Sequence, residues 1–368
     1  MTDKERKILS SQIINGLPPN PHGRFLLAPR FGKTALVISI IKRDKPKTIL
    51  WVTPSAKLAN NDIPLEFKKW GAENFLKKLT TITWMSLHKE TGYYDLIVLD
   101  EEQFATFNNV ENLLNKTLKY NNIVSMTGSP TEKQEKKDIY NILKLKILYN
   151  LNINKAVDIG ILSNYSINVV SIDLSTIKNY KAGSKTKSFM TTEELNYKYL
   201  SNMVDKFMFT KYSKFRILNR MRAIKNSPSK HKVAKYLFDN LKGRKLFFCG
   251  NINQAESLSM HTYHSKTDDK DLQKFISGEI DEIAMVNAGG TGFTYKEIDH
   301  LVLVQADSNK NGLTLQKISR TLMKQKNYKA TIWIVLLNGT QDAKWVESTL
   351  KSFDKNKINY LHFKDLRL

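Results

Sequence analysis

The chain has 368 residues, 41% of them apolar and 25% charged, which supports two or three domains with their own cores and excludes both a small stapled scaffold and wholesale disorder. Its 58 Lys and Arg against 35 Asp and Glu leave a net charge of +23, a surface that attracts polyanions, nucleic acid first among them. One cysteine, Cys249, excludes an internal disulfide, no Cys/His cluster has zinc-ligand spacing, and no apolar run approaches the ~20 residues that cross a bilayer.

The first aliphatic run, Arg24 to Ala28, has the character of a strand buried on both faces. It leads into Ala28-Pro29-Arg30-Phe31-Gly32-Lys33-Thr34 and an apolar helix from Ala35 to Ile41. A strand, a tight loop and a helix opening on Gly-Lys-Thr form a phosphate-binding arrangement. Backbone N–H groups and the helix N-terminus hold phosphate, Lys33 reaches the β and γ oxygens, and the Thr34 hydroxyl ligates Mg²⁺. The full spacing asks for glycine at position 27, where Leu27 stands, so the loop is expected to be short, with Arg30 and Phe31 in place of small residues. Further strands are expected at Thr48 to Val52, Leu79 to Trp84, Asp95 to Leu99 and Asn122 to Met126, with helices between them. The strand before Asp100 ends in Asp100-Glu101-Glu102-Gln103. Two carboxylates at the tip of a buried strand are costly unless a metal or a polar partner occupies the crevice. Asp100 is expected to hold Mg²⁺ through water, and Glu101 to orient the water that attacks the γ-phosphate.

A helix over Leu151 to Leu162 is expected to lead to a second set of strands: Ile167 to Asp173, Lys245 to Cys249, Met260 to Tyr263, Glu282 to Val286, His300 to Val304 and Ala330 to Leu336. Alternation of strand and helix twice over predicts an α/β fold of two domains, each a mostly parallel sheet flanked by helices. The domains are placed at 1–150 and 166–368, joined by a linker helix at 151–165. From Lys178 to Lys235, 15 Lys and Arg stand against Glu193, Glu194 and Asp205, with Phe189, Tyr197, Tyr199, Phe207, Phe209, Tyr212 and Phe215 interleaved. This predicts a basic helical insertion at about 178–230. Its aromatics are either its own core, under a solvated basic face, or a base-stacking platform.

In this order the motifs resemble those of superfamily 2 helicases and translocases. Asp100-Glu101-Glu102-Gln103 is similar to their Asp-Glu-x-His/Gln box, with Gln103 in the last place. Thr53-Pro54-Ser55 and Thr83-Trp84-Met85-Ser86-Leu87-His88 resemble first-domain nucleic-acid contacts. Ser125-Met126-Thr127-Gly128-Ser129-Pro130 resembles the segment coupling hydrolysis to movement in Swi/Snf-type and restriction-enzyme motors. Tyr263-His264-Ser265 and Asn287-Ala288-Gly289-Gly290-Thr291-Gly292 resemble strand contacts of the second domain. Gln316-Lys317-Ile318-Ser319-Arg320-Thr321-Leu322-Met323-Lys324 resembles the arginine-finger motif, with Met323 where a second arginine usually stands.

The resemblance implies two RecA-like domains with an ATP cleft between them, ATP and Mg²⁺ as ligands, and a catalytic set of Glu101, Gln103 and Arg320. ATP contacts would come from Gln12, Arg30, Gly32, Lys33, Thr34, Asp100, Gly292 and Gln316, with Thr34 and Asp100 on Mg²⁺; Gln12 can equally be a plain surface-helix residue. Nucleic-acid contacts would come from Thr53, Ser55, Ser86, His264, Ser265, Gly289, Gly290 and Thr291. The flavour is that of bacteriophage UvsW-type recombination helicases, which implies remodelling of branched or single-stranded DNA, with DNA preferred to RNA and other replication or recombination proteins as partners. A nucleotide-gated DNA-binding or annealing protein with weak hydrolysis and an RNA helicase are the competing readings. A monomer without membrane contact, in the cytoplasm (the host's, if the chain is viral), completes the expectation.

Overall fold

The structure, a computed structural model, describes residues 3–131, 133–183, 186–286, 297–307, 313–319, 321–322 and 329–368. Two compact units divide the chain. The boundary falls after Leu162, and a short later stretch ending at Gln316 groups with the first unit.

The first unit is built on β1 (Gly23–Leu27), β2 (Ile49–Thr53), β3 (Leu79–Thr83), β4 (Gly92–Asp100), β5 (Leu118–Thr127) and β6 (Ile147–Leu151), in the order β3-β2-β4-β5-β1-β6. Every pairing is parallel. Parallel strands need crossover connections, and the helix Lys33–Asp44 supplies the first, burying Leu36, Val37, Ile38, Ile40 and Ile41. Leu50 and Val52 of β2 join Ile97, Leu99, Ile123 and Trp84 in one core cluster, while Trp51, on the strand's other face, meets Phe67 edge-on at 5.7 Å. Burying each such aliphatic side chain contributes ~1.5–3 kcal/mol.

Four residues of β6 are at least partly accessible and only Leu151 is buried, so this edge strand lacks the continuous apolar signature and was not among the expected strands. The helix expected over Leu151 to Leu162 is shorter, Ile153–Asp158, because Leu151 still belongs to β6 and Gly160 at φ 72° ends the turn beyond it.

The second unit holds β7 (Asn164–Ile172), β8 (Tyr180–Gly183), β9 (Ser188–Thr191), β10 (Lys245–Phe248), β11 (Thr262–Tyr263), β12 (Glu282–Met285), β13 (His300–Leu303), β14 (Lys329–Leu337) and β15 (Ile358–His362). Seven of these form a second sheet, β11-β12-β10-β13-β14-β7-β15, parallel at every pairing. Its core joins Val170, Phe247, Val302 and Val335 of the sheet to Val233 and Leu237 of the helix Pro228–Asn240. That helix also buries Lys230, whose Nζ lies 2.6 Å from the Asp342 carboxylate.

The segment expected to be a basic helical insertion holds the helices Glu193–Lys206 and Ser213–Lys225, preceded by an antiparallel hairpin, β8 against β9. Gly183 fixes that hairpin: at φ 98° a Cβ there would sit 2.1 Å from the Lys187 carbonyl oxygen, so no other residue fits the turn. Among the described residues no helix is long and apolar enough to cross a membrane.

Candidate active site

The order β4-β5-β1 puts the carboxyl ends of three strands side by side, so the loops that leave them converge, as ligand-binding loops do in open parallel sheets. After β1, Leu27 is strand core at 1% exposure, which is why no glycine stands there. The loop proper is Ala28 to Gly32. Phe31 anchors it as a buried side chain, Arg30 takes the left-handed region at φ 68°, and Gly32 at φ 99° turns the chain into the helix Lys33–Asp44. The N–H groups of the first turn of such a helix have no partner within it and are free to face an anion.

After β4, the Trp84 indole donates to the Asp100 carbonyl at 2.8 Å and pins the strand end. Glu101 then takes φ 53°, ψ 61°, a left-handed conformation that costs a non-glycine residue of order 1 kcal/mol or more and persists where the surroundings over-determine it. Those surroundings are specific. Lys33 Nζ lies 2.5 Å from Glu101 Oε1, Gln103 Nε2 donates to Glu101 Oε2 at 2.8 Å, and Thr127 Oγ1 donates to Gln103 Oε1 at 2.6 Å. The Ser129 N–H in turn donates to Thr127 Oγ1 at 2.9 Å. Gly128 stands close over the loop, where a Cβ would lie 3.3 Å from the Leu27 carbonyl and 3.4 Å from Lys33 Nζ. The loops after β1, β4 and β5 are thus one hydrogen-bonded unit.

Electrostatics separates the roles of the two acids at the strand tip. Burial raises Asp100, the charge of Glu101 adds to it, and Lys33 offsets only part, so its carboxyl is pushed up to about 7. Burial acts on Glu101 in the same sense, but the charge and hydrogen bond of Lys33, with donation from Gln103 and the Gly128 N–H, hold it below the usual glutamate range. For Lys33, burial works against the ammonium, and Glu101 followed by Asp100 outweighs it, keeping its pKa above the ordinary value. Glu101 is therefore held as an ionised carboxylate, and Lys33 as a cation.

Glu102 has a different task. It is 1% exposed, accepts Arg24 Nε on both oxygens at 3.0 Å and Ser125 Oγ at 2.5 Å, and Arg24 lies 3.6 Å over the Tyr140 ring. This network ties β1, β5 and the helix Gln134–Ile142 to the acid box. Arg24 inside an otherwise apolar strand was its only trace in the sequence.

Among the described residues no three His, Cys, Asp or Glu side chains form a metal cage. Half-buried Thr34 at the helix start and buried Asp100 make a partial set, which suits Mg²⁺, an ion commonly held by one or two protein groups and the phosphates of a nucleotide.

Other expected contacts divide. Ser86 and Ser265 are exposed and Ser55 half-buried. Thr53 and His264 are both buried. Thr53 is fully buried, its hydroxyl donating to the Ser55 carbonyl at 3.0 Å. His264 is 4% exposed, its Nδ1 accepting from the Lys266 N–H at 3.3 Å and its Nε2 lying 3.4 Å from Glu256. In both cases the polar side chain at a strand end satisfies the backbone of its own turn. Gln12 stands exposed on the helix Asp3–Asn15. Gln316 is half-buried in the helix Leu313–Ser319, where the next residue, Lys317, pairs with Asp307 at 2.6 Å. Gly289, Gly290, Thr291, Gly292, Arg320, Met323 and Lys324 lie outside the described residues.

No protein-family model matches the chain, and no curated protein does. Solved structures match it along nearly its whole length. The Hef helicase domain of Pyrococcus furiosus aligns over 94% of this chain and 97% of its own, with a TM-score of 0.54 at 12% identity. The ATP-dependent Type ISP restriction-modification enzyme LlaBIII, bound to DNA, aligns over 98% of this chain but 31% of its own, with a TM-score of 0.60 at 13% identity. Dbp5 of S. cerevisiae, bound to RNA and ADP BeF3, aligns over 97% and 89%, with a TM-score of 0.54 at 10% identity. The likeness establishes the fold: two RecA-like domains, each a mostly parallel sheet flanked by helices.

Proposed function

We propose that the protein is an ATP-driven nucleic-acid translocase, working on single-stranded or branched DNA during replication or recombination. The observation that carries this reading is the hydrogen-bonded line Lys33–Glu101–Gln103–Thr127, which joins a phosphate loop, an acid box and the segment after β5. In this reading Lys33, Arg30 and the loop N–H groups bind the phosphates of ATP, and Thr34 and Asp100 hold Mg²⁺, which adds charge neutralisation at the transferred phosphoryl. Glu101 exchanges its bond to Lys33 for one to water, orients that water and takes its proton. Gln103 keeps Glu101 in place and reports its state to Thr127. Arg320 is assigned the guanidinium that offsets charge on the transferred phosphoryl.

Two neighbours support a polymer substrate, one described bound to DNA and one to RNA, and the net charge of +23 favours a polyanion. DNA, the branched substrate and the UvsW-type assignment rest on the motif resemblance. ATP turnover measured with Mg²⁺ and no polymer, single-stranded DNA, forked DNA or RNA tests the whole reading. Severalfold stimulation, greatest with forked DNA, is expected, and turnover indifferent to every polymer refutes it.

A further inference from the structure

The helices Glu193–Lys206 and Ser213–Lys225 and the turn between them show large apolar side chains to solvent. Phe209 is 95% exposed, and Tyr212 and Phe215 are both more than half exposed, so these aromatics are not the insertion's own core. On the helix Ser213–Lys225, Lys214, Phe215, Leu218 and Arg222 fall within a single stripe at helical spacing and all are exposed, while Ala223 and Ile224 turn inward. Arg216 lies 5.0 Å from the centre of the Phe207 ring and 5.7 Å from that of Phe215, which limits the freedom of both rings. From 205 to 225 the sequence has seven Lys and Arg and one acid, Asp205. Exposed aromatics in one place are costly for a surface that only needs to be wet.

We propose that this helical pair is a nucleic-acid contact of its own, a platform on which unpaired bases stack. Phe209, Tyr212 and Phe215 follow one another every three residues and are exposed, offering rings for bases to stack on, and Lys211, Lys214 and Arg222 beside them take the phosphates. A second copy of the chain is a poor occupant, since it would bring the same positive charge. The assignment rests on the translocase reading for the presence of a nucleic-acid substrate, and adds where and how unpaired bases are held.

The test uses the full chain, labelled oligo(dT) and a blunt duplex of equal length, with fluorescence anisotropy over a salt series. The variant Phe209→Ala/Tyr212→Ala/Phe215→Ala should lose at least ~10-fold in affinity for oligo(dT), change little toward the duplex, and keep the salt slope, because stacking needs open bases and the phosphate contacts remain. Lys211→Gln/Lys214→Gln/Arg222→Gln should weaken both ligands and lower the salt slope by ~2–3 units. Melting temperature and turnover without polymer should be unchanged in both variants. Wild-type affinity for oligo(dT) in the aromatic variant, or an equal loss toward the duplex, overturns the platform while leaving the translocase reading intact. So does binding to anionic phospholipid vesicles that the aromatic variant alone abolishes while oligo(dT) is retained. A wild-type chain that binds neither ligand sinks both proposals.

Discussion

Replacing Arg24 by methionine keeps most of that side chain's length and removes its charge. Glu102, 1% exposed, would then keep only the Ser125 hydroxyl and lose every bond from the guanidinium. A buried carboxylate deprived of its cation costs ~3–5 kcal/mol, well above the worth of an exposed pair. For a unit of this size that corresponds to a fall of ~6–20 °C in its melting temperature. Removing both charges at once, as Arg24→Met/Glu102→Met, should recover most of the loss, since an apolar pair of similar volume leaves no orphaned charge. Thermal unfolding followed by far-UV circular dichroism, with urea melts at one temperature, measures both variants. A single-variant loss below ~1 kcal/mol, or a double variant no more stable than the single, would refute the account of Glu102 as a structural acid.

Lys33→Ala should abolish nucleotide binding, whereas Glu101→Gln should bind Mg²⁺·ATP and lose turnover by ~10²-fold or more, because one residue holds phosphate and the other handles the proton; equilibrium binding beside single-turnover hydrolysis separates them. Thr127→Val leaves the Gln103 amide oxygen and the Ser129 N–H unpaired at a cost of ~1–3 kcal/mol; it should retain turnover without polymer and lose polymer stimulation, read from the two rates in one assay. Burial pushes the Cys249 thiol up to about 12. At pH 8 the thiolate is then about one molecule in ten thousand, so a disulfide reagent should label the native chain only as fast as it unfolds, and rapid labelling without denaturant would show the strand β10 end to be open.

How far the sequence carried depends on burial. β2, β4 and β10 sit inside their sheets, and their uninterrupted apolar runs announced them. The edge strands β6 and β15 carry mixed residues, such as Asn150 and Asn359, because one side of each has no neighbour, and they were missed. Lys33, Asp100 and Glu101 were legible because their chemistry demands those residue types at a strand end. Arg24 and Ser125 were not, since their partnership with Glu102 spans 78 and 23 residues and exists only once β1 and β5 lie side by side. At Thr53 and His264 the motif fixes which residue stands at the turn, and the turn's own backbone decides whether that side chain faces in or out.

The place of β7 in its sheet has a consequence for synthesis. β7 is the first strand of its unit to be made, yet its two neighbours are β14 and β15, among the last. Asn338 reaches back to Asp173 across 165 residues, and the Tyr165 hydroxyl meets the Asp354 N–H across 189. At ~5–20 residues per second the ribosome leaves both edges of β7 unpaired for roughly ten to forty seconds. The sheet cannot close until that interval ends, so its assembly belongs to the slow, high-contact-order class. A nascent chain stalled before β14 should expose Val169 and Val170 to chaperones and proteases, while the first unit, whose six strands are already present by Leu151, should be resistant.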